Sequence, residues 1–150
     1  MQIDWKIKHF VDLNQYELYD VFALRINVFV VEQNCPYPEL DGKDKHCFHV
    51  IGEHEGEVVA TARIIPAGIS YPEVSIGRVA IRSDFRGNEL GHEIMRKALE
   101  FIDNEYGKCD IRISAQAHLQ SYYEKHRFKS TGKEYLEDGI PHLEMLFEFM

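Results

Sequence analysis

Along residues 2–9, QIDWKIKH, apolar side chains alternate with charged ones, the period-two pattern of a strand with one buried face. The period then lengthens. Over residues 14–31, Leu18, Val21, Phe22 and Phe29 recur on or near one face at helical spacing, with Asp12 or Asn14 available as the N-cap. NCPYPELDGKDK breaks the pattern into a loop, and HCFHVIGEHEGEVVATARII reads as two strands about a turn at residues 54–56. After PAGISYPE a further strand ends at Ile81, and these three strands pair most simply as an antiparallel meander. Leu90, Ile94, Met95, Ala98, Phe101 and Ile102 mark an amphipathic helix over about residues 88–105, stopped by Gly107 as a left-handed C-cap. CDIRISA then predicts a strand, AHLQSYYEKHR a short helix, and FKSTGKEYL and HLEMLFEF two last strands about EDGIP. The resulting order is strand, helix, three strands, helix, strand, helix, two strands. It predicts a mixed α/β (α+β) sheet flanked by helices rather than an alternating βα array.

Composition narrows the class. A chain of 150 residues with 45% apolar content suits one globular domain over residues 1–150, without internal repeat or linker. No run approaches the roughly 20 apolar residues that span a bilayer, so a soluble, cytoplasmic protein without a membrane partner is expected. Lys plus Arg number 17 against 25 Asp plus Glu, a net charge of −8 that disfavours a nucleic-acid partner and favours cationic substrates. Cys35, Cys47 and Cys109 lack CxxC spacing and read as reduced thiols, neither a disulfide framework nor a thiolate metal site.

The chemistry enters at DFRGNELGHEIM, residues 84–95, where the strand ending at Ile81 gives way to the long helix. A helix start with little side-chain bulk exposes unpaired N–H groups at the positive end of the helix dipole, a natural anion site. Gly87 and Gly91 permit unusual torsions or close approach, and Arg82, Arg86, His92 and Arg96 add local positive or potentially positive groups. The stretch lacks the GK[ST] ending of a P-loop and the GxGxxG of a dinucleotide turn. Taken alone, it is equally an ordinary strand-to-helix connection.

The blocks LRINVFVVEQNCPYPELDG, IGRVAI, AQAHLQSYYE and EDGIPHLEM, in this order over essentially the whole chain, resemble the GNAT superfamily of N-acetyltransferases and, more closely, its ElaA-like branch. The resemblance implies the GNAT acyl-CoA N-acyltransferase fold, a central mixed and mostly antiparallel sheet split near the cofactor strand to admit pantetheine. It implies acetyl-CoA as co-substrate and no metal. The family loop [QR]xxGx[GA] falls on Arg86, Gly87, Asn88, Glu89, Leu90 and Gly91, whose backbone amides, with His92, are then expected to hold the pyrophosphate. Backbone groups of Val79 and Ile81 would pair with the pantetheine arm, Gln116 would lie near it, and EQNCPYPELDG would rim the acceptor site. Two positions depart from the family: Glu89 replaces the middle glycine of the loop, and YEKHRF carries Arg127 where YxxxGF has glycine.

Acyl transfer from a thioester to an amine needs a deprotonated amine, donors to the carbonyl oxygen and a proton for the departing thiolate. Tyr123 is the candidate acid, since a phenol stays protonated at neutral pH, and the Val79 amide the candidate oxyanion donor. Tyr122 reads as core packing. For the base the candidates are Glu73, His118 and His142; a solvated turn carboxylate competes for Glu73 and a structural hydrogen bond for His142. Arg25 and Glu32 share a helical face and suit either an acceptor or a structural pair; Cys35 has no base in sight for a covalent route. Asp41, Asp44 and His46 form only a loose metal set and read as a solvated loop. The expectation is an acetyl-CoA-dependent N-acetyltransferase acting on a primary amine, of a small molecule, by direct transfer in a ternary complex; a homodimer is compatible with it. The alternative is a non-catalytic acyl-CoA-binding regulatory protein of the same fold, kept open by Glu89 and Arg127.

Overall fold

The computed structural model describes residues 2–149. Strands β1 (Asp4–His9), β2 (Phe48–His54), β3 (Glu57–Ile65) and β4 (Ser75–Ile81) pair in that order, each antiparallel to the next. The second sheet has the order β5-β7-β6, from β5 (Ile111–Gln116), β6 (Lys129–Glu137) and β7 (Ile140–Phe147), again antiparallel. The sheets meet at one point. β4 and β5 are parallel neighbours only at the Val74–Ile111 bridge, where the Arg112 N–H donates to the Val74 carbonyl at 3.0 Å. Past that bridge no ladder joins them, which is the mixed, mostly antiparallel sheet with a split at β4 that the sequence led us to expect.

Local chemistry sets the turns. Glu55 and Gly56 (φ +51° and +79°), like Asp138 and Gly139 (+51° and +78°), place two left-handed residues in succession, the type I′ geometry that matches strand twist. Helix α1 (Gln15–Ile26) begins with a capping box: the Glu17 N–H donates to Asn14 Oδ1 at 2.8 Å and the Asn14 N–H to Glu17 Oε1 at 2.9 Å. The helix expected over 14–31 keeps α geometry only to Ile26. Residues Asn27–Glu32 wind as a π-helix, where β-branched Val28, Val30 and Val31 crowd the preceding turn.

Helix α2 (Leu90–Tyr106) buries Leu90, Ile94, Met95, Ala98 and Ile102, the stripe read from the sequence. That stripe meets Val50 and Ile64 of the first sheet and Ile113 and Met145 of the second in one continuous core. Short helix α3 (Gln120–Glu124) ends in a Schellman motif, the Phe128 N–H reaching the Tyr123 carbonyl at 3.3 Å and the Arg127 N–H that of Glu124 at 3.1 Å. Arg127 therefore stands left-handed at φ +72°, at about 1–2 kcal/mol relative to glycine. Its guanidinium lies 4.7 Å from the Phe147 ring centroid and donates to the Glu148 carbonyl at 3.2 Å.

Among the groups that make stability depend on pH, His49 and Glu17 act in separate ranges. His49 is fully buried with its Nε2 3.1 Å from the Asp44 carbonyl oxygen, and burial holds its pKa below the ordinary 6.5. Burial alone would raise Glu17, but hydrogen bonds from Lys6, the Asn14 amide and Lys8 override it and bring the carboxyl from 4.5 down to about 2. A depressed histidine is neutral in the fold, so its contribution is intact above pH 6.5 and declines below it as the unfolded chain takes up the proton. The Glu17 contribution is intact above 4.5 and is lost between there and about 2. Urea midpoints near pH 7.5, 5.5 and 3.5 should therefore fall in two steps; equal midpoints at the two higher values would mean that His49 titrates freely.

Candidate active site

The parting of β4 from β5 leaves a cleft of about 430 Å³. On the β4 wall the ladder to β3 runs Ile64↔Ile76 and Arg63↔Gly77, then resumes at Thr61↔Ala80, so Arg78 and Val79 face Ala62 alone. This is a β-bulge, with Arg78 at φ +51° and Val79 without a ladder partner. β4 is also the last strand of its sheet, so its edge toward β5, carrying Val79 and Ile81, is unpaired beyond Val74. Ser114 and Gln116 of β5 and His142 of β7 line the opposite wall, and Tyr123 of α3 lines the same cleft.

Beyond the end of β4, the loop into α2 adopts an anion-site geometry. Gly87 has φ +85° with nothing within 4 Å of where a Cβ would sit. Glu89 is the N-cap of α2 at φ +64°, exposed and without a side-chain capping bond. The first helical bond runs from the Glu93 N–H to the Glu89 carbonyl at 3.0 Å, so the amides of Leu90, Gly91 and His92 have no partner within the helix. The open path, free amides and positive dipole end fit a pyrophosphate. The left-handed torsion at residue 89 is also the physical reason for glycine there in the family, and Glu89 meets it with its side chain turned to solvent.

The side chains around this loop correct one expectation. Arg82 pairs with Asp84 at 2.7 Å and Glu57 at 2.9 Å, and Arg86 with Glu32 at 2.8 Å while donating to the Ile81 carbonyl at 3.0 Å. Neither is a free cation, so these two arginines add little to the attraction that the backbone amides exert on an anion. The Asn88 amide donates to the Phe85 carbonyl at 3.2 Å. Gly91 has ordinary helical torsions, and its carbonyl accepts from the Tyr122 hydroxyl, whose ring carbon would lie 3.4 Å from an added Cβ. Tyr122 thus ties α3 to the start of α2. His92 Nδ1 lies 2.9 Å from His126 Nε2 with a proton between them, and burial, His92 and Arg96 hold the pKa of His126 down.

Of the candidate catalytic residues, the fold brings Tyr123 and His142 to the cleft. Tyr123 is 8% exposed, its hydroxyl has no hydrogen-bond partner among the described residues, and burial pushes its pKa up to about 12. His142 Nδ1 stands 2.7 Å from the Ile140 carbonyl oxygen. A carbonyl only accepts, so Nδ1 carries a hydrogen, and Nε2 faces Glu137 Oε2 at 3.4 Å. The β6–β7 register sets this face by placing Tyr135 opposite His142, their rings stacked at 6.1 Å. Gln116 is on the cleft wall, its amide 3.4 Å from Gln33 Oε1.

Glu73 and His118 are not brought there. Arg112 grips Glu73 with two hydrogen bonds, 3.0 and 2.9 Å, and lowers its pKa. Glu73 therefore clasps β4 to β5 beside the Val74–Ile111 bridge, where the sheet is closed, and gives way as a candidate base. His118 is exposed, outside the cleft lining.

The loop after the π-helix is likewise not simply solvated. Arg25, 1% exposed, pairs with Glu39 at 2.6 Å and Asp44 at 2.7 Å. Arg63 joins Asp41 at 2.7 Å and Asp44 at 3.1 Å, and Arg78 joins Glu39 at 2.8 Å and Asp41 at 3.4 Å. Three arginines and three carboxylates thus close one network between α1, the loop, β3 and the bulge. Arg25 is a structural partner, and Asp41 and Asp44 are spent on arginines; among the described residues no group of three or more His, Cys, Asp or Glu is placed to hold a metal. Cys35 Sγ lies 3.6 Å from the Asp138 carbonyl oxygen, joining this loop to the β6–β7 turn. The sequence reading missed Arg78 and Glu137. A glycine beside Arg78 inside a strand was a bulge signal; nothing local marked Glu137, which reaches His142 through the hairpin register.

The model of the acetyltransferase (GNAT) domain matches residues 20–149. Protein ElaA of Escherichia coli is 39% identical over 97% of this chain and 97% of its own, and its crystal structure superposes with a TM-score of 0.92 over 98% of this chain and 100% of that chain. An acyl-CoA N-acyltransferase from Pseudomonas aeruginosa, 40% identical, superposes with a TM-score of 0.93 over 97% of this chain and 99% of that one. A GNAT acetyltransferase of Elizabethkingia anophelis, 13% identical and alike in fold at a TM-score of 0.64, holds bound acetyl-CoA. With the split at β4, the bulge and the uncapped start of α2, these likenesses establish that the chain belongs to the GNAT family of acyl-CoA-dependent acyltransferases.

Proposed function

We propose that this protein is an acetyl-CoA-dependent N-acetyltransferase that acylates a primary amine of a small molecule by direct transfer in a ternary complex, as a single cytoplasmic domain. The observation that carries the reading is the cleft itself: the free edge of β4, with its bulge, leads to the unpartnered amides at the start of α2. Acetyl-CoA supplies a thioester-activated acetyl group. Amides of residues 87–92 hold the pyrophosphate end, and backbone groups of Val79 and Ile81 align the pantetheine arm along β4.

The Val79 amide is positioned to donate to the acyl oxygen as negative charge develops there. An alkylamine of pKa near 10.4 needs about 4–5 kcal/mol to lose its proton at pH 7, and His142, whose Nε2 lies beside Glu137, takes that proton. Tyr123 serves the departing sulfur. Among the described residues the Cys35 thiol has a backbone carbonyl as its hydrogen-bond partner and no base bonded to it, which favours direct transfer over an acyl-cysteine route. A volume of about 430 Å³ accommodates a small acceptor beside the pantetheine arm. The alternative of a non-catalytic acyl-CoA-binding protein rests on Glu89 and Arg127, and both residues meet the required left-handed backbone without entering the cleft.

Calorimetric titration with acetyl-CoA tests the reading, on the wild type and on Glu89→Gly. The variant removes a negative charge beside the phosphates and puts glycine at φ +64°, and binding about threefold to tenfold tighter is expected. Absence of binding by both proteins would end the reading, whereas weaker binding by the variant alone would show that the Glu89 side chain supports the loop.

A further inference from the structure

β4 has to accommodate one residue more than β3. Ile76 on one side of the irregularity and Ala80 on the other are both buried, and a slip of one residue would turn either flank out of the core. The position of the bulge is therefore fixed by packing. The conformation of its extra residue is not. An ordinary bulge places that residue near the right-handed helical region, and the left-handed variety normally takes glycine. Here glycine is next door, at Gly77, and Arg78 occupies the left-handed position at φ +51°. A long side chain holds that torsion only when something outside the strand compels it.

The guanidinium of Arg78 supplies the compulsion. Its Nε lies 2.8 Å from Glu39 Oε1 in a charge contact off the N–H axis, and Nη2 donates to the Glu39 carbonyl at 3.2 Å and to Asp41 Oδ2 at 3.4 Å. The carboxylates are themselves anchored. Glu39, 4% exposed, is shared with Arg25 and accepts from the Tyr37 hydroxyl, and Asp41 is gripped by Arg63 through two hydrogen bonds of 2.9 and 2.7 Å. The Tyr37 ring lies under the Arg78 guanidinium at 5.7 Å. Arg78, Tyr37 and Asp41 all line the cleft.

We infer that Arg78 is a positioning residue: clamped by Glu39 and Asp41, it locks residue 78 in the left-handed conformation and so aims the neighbouring Val79 amide into the cleft, joining the acceptor-side loop and the acyl-binding strand into one rigid unit. The inference rests on the proposed role of the Val79 amide, and the clamp itself is testable without that role.

Arg78→Ala, Arg78→Gly and Arg78→Lys separate the alternatives. The first readout is structural and independent of activity. In a crystal structure of Arg78→Ala, residue 78 is expected to leave the left-handed region while Ile76 and Ala80 keep their places; a retained positive φ overturns the clamp. The second is kinetic, with active sites counted by acetyl-CoA titration so that partial unfolding does not enter. Arg78→Ala is expected to lower kcat about 10²-fold, with the KM for acetyl-CoA within about threefold, because a misaimed donor affects the transition state more than the bound substrate. Arg78→Gly tolerates the left-handed torsion without a clamp and is expected to keep about tenfold more turnover than Arg78→Ala, with Arg78→Lys also above alanine. Because active sites are counted, a difference between glycine and alanine in folding alone would leave kcat per site equal in the two variants. Equal kcat in all four proteins, or glycine below alanine, overturns the inference.

Discussion

Tyr123→Phe is expected to lower kcat by about 10²-fold while leaving acetyl-CoA affinity within about twofold. The hydroxyl has no hydrogen-bond partner among the described residues and the ring is packed in the core, so its removal leaves no orphaned group and no cavity beyond one oxygen. The raised pKa refines the role. A phenol pushed up to about 12 is a weaker acid than the thiol of pKa near 8.5 that it would create, so complete proton transfer to the thiolate runs uphill. Tyr123 then acts by donating a hydrogen bond to the sulfur as charge develops, and the amine's own proton completes the exchange. Because the phenol ionises only near 12, no alkaline loss of activity between about pH 8 and 10 should be traceable to it. Unchanged turnover in the variant, or an alkaline limb that disappears with the hydroxyl, would remove Tyr123 from this role.

Arg25→Met should destabilise the protein by about 3–5 kcal/mol, read from urea unfolding at neutral pH. Methionine fills much of the same space, so the loss would reflect charge. Glu39 and Asp44, each 4% exposed, would face the interior with one fewer cation between them. Arg78 still touches Glu39 and Arg63 still touches Asp44, which places the expected value toward the lower end. Arg25 lies outside the cleft lining, so the folded variant should still bind acetyl-CoA. A loss below about 1 kcal/mol would mean that water or proton uptake neutralises the two carboxylates once the arginine is gone.

Several structural details were legible because their causes are local. The Asn14 cap, the Gly107 stop, the DG turn before β7 and the buried stripe of α2 each depend on residues close to one another along the chain. The start of α2, where the candidate anion loop lies, was legible for the same reason, since the pattern marks the first turn of that helix. The loop's arginines were so only in part: Arg82 pairs with Asp84 two positions on, but its other partner Glu57 and the Arg86 partner Glu32 lie 25 and 54 positions away in sequence. Arg127 shows the mixed case, where the family comparison marked a departure and only the helix end explained it, as a left-handed cap that arginine fills.

The catalytic side chains divide along the same line. Glu73 and His142, with His118, stood in the sequence as competing candidates for the base. They part in the fold because Arg112 reaches Glu73 across the closed end of the split, while the β6–β7 register turns His142 toward the opening. The sequence alone determined the order of elements and the start of the helix that carries the candidate anion loop, which follow from periodicity and short-range torsional preference, and the family, which follows from resemblance. Which carboxylates are bound to arginines, which histidine faces the cleft, and how Arg78 holds a torsion meant for glycine were decided only by the tertiary structure. Charge pairing and strain depend on separations in space that chain neighbours do not set.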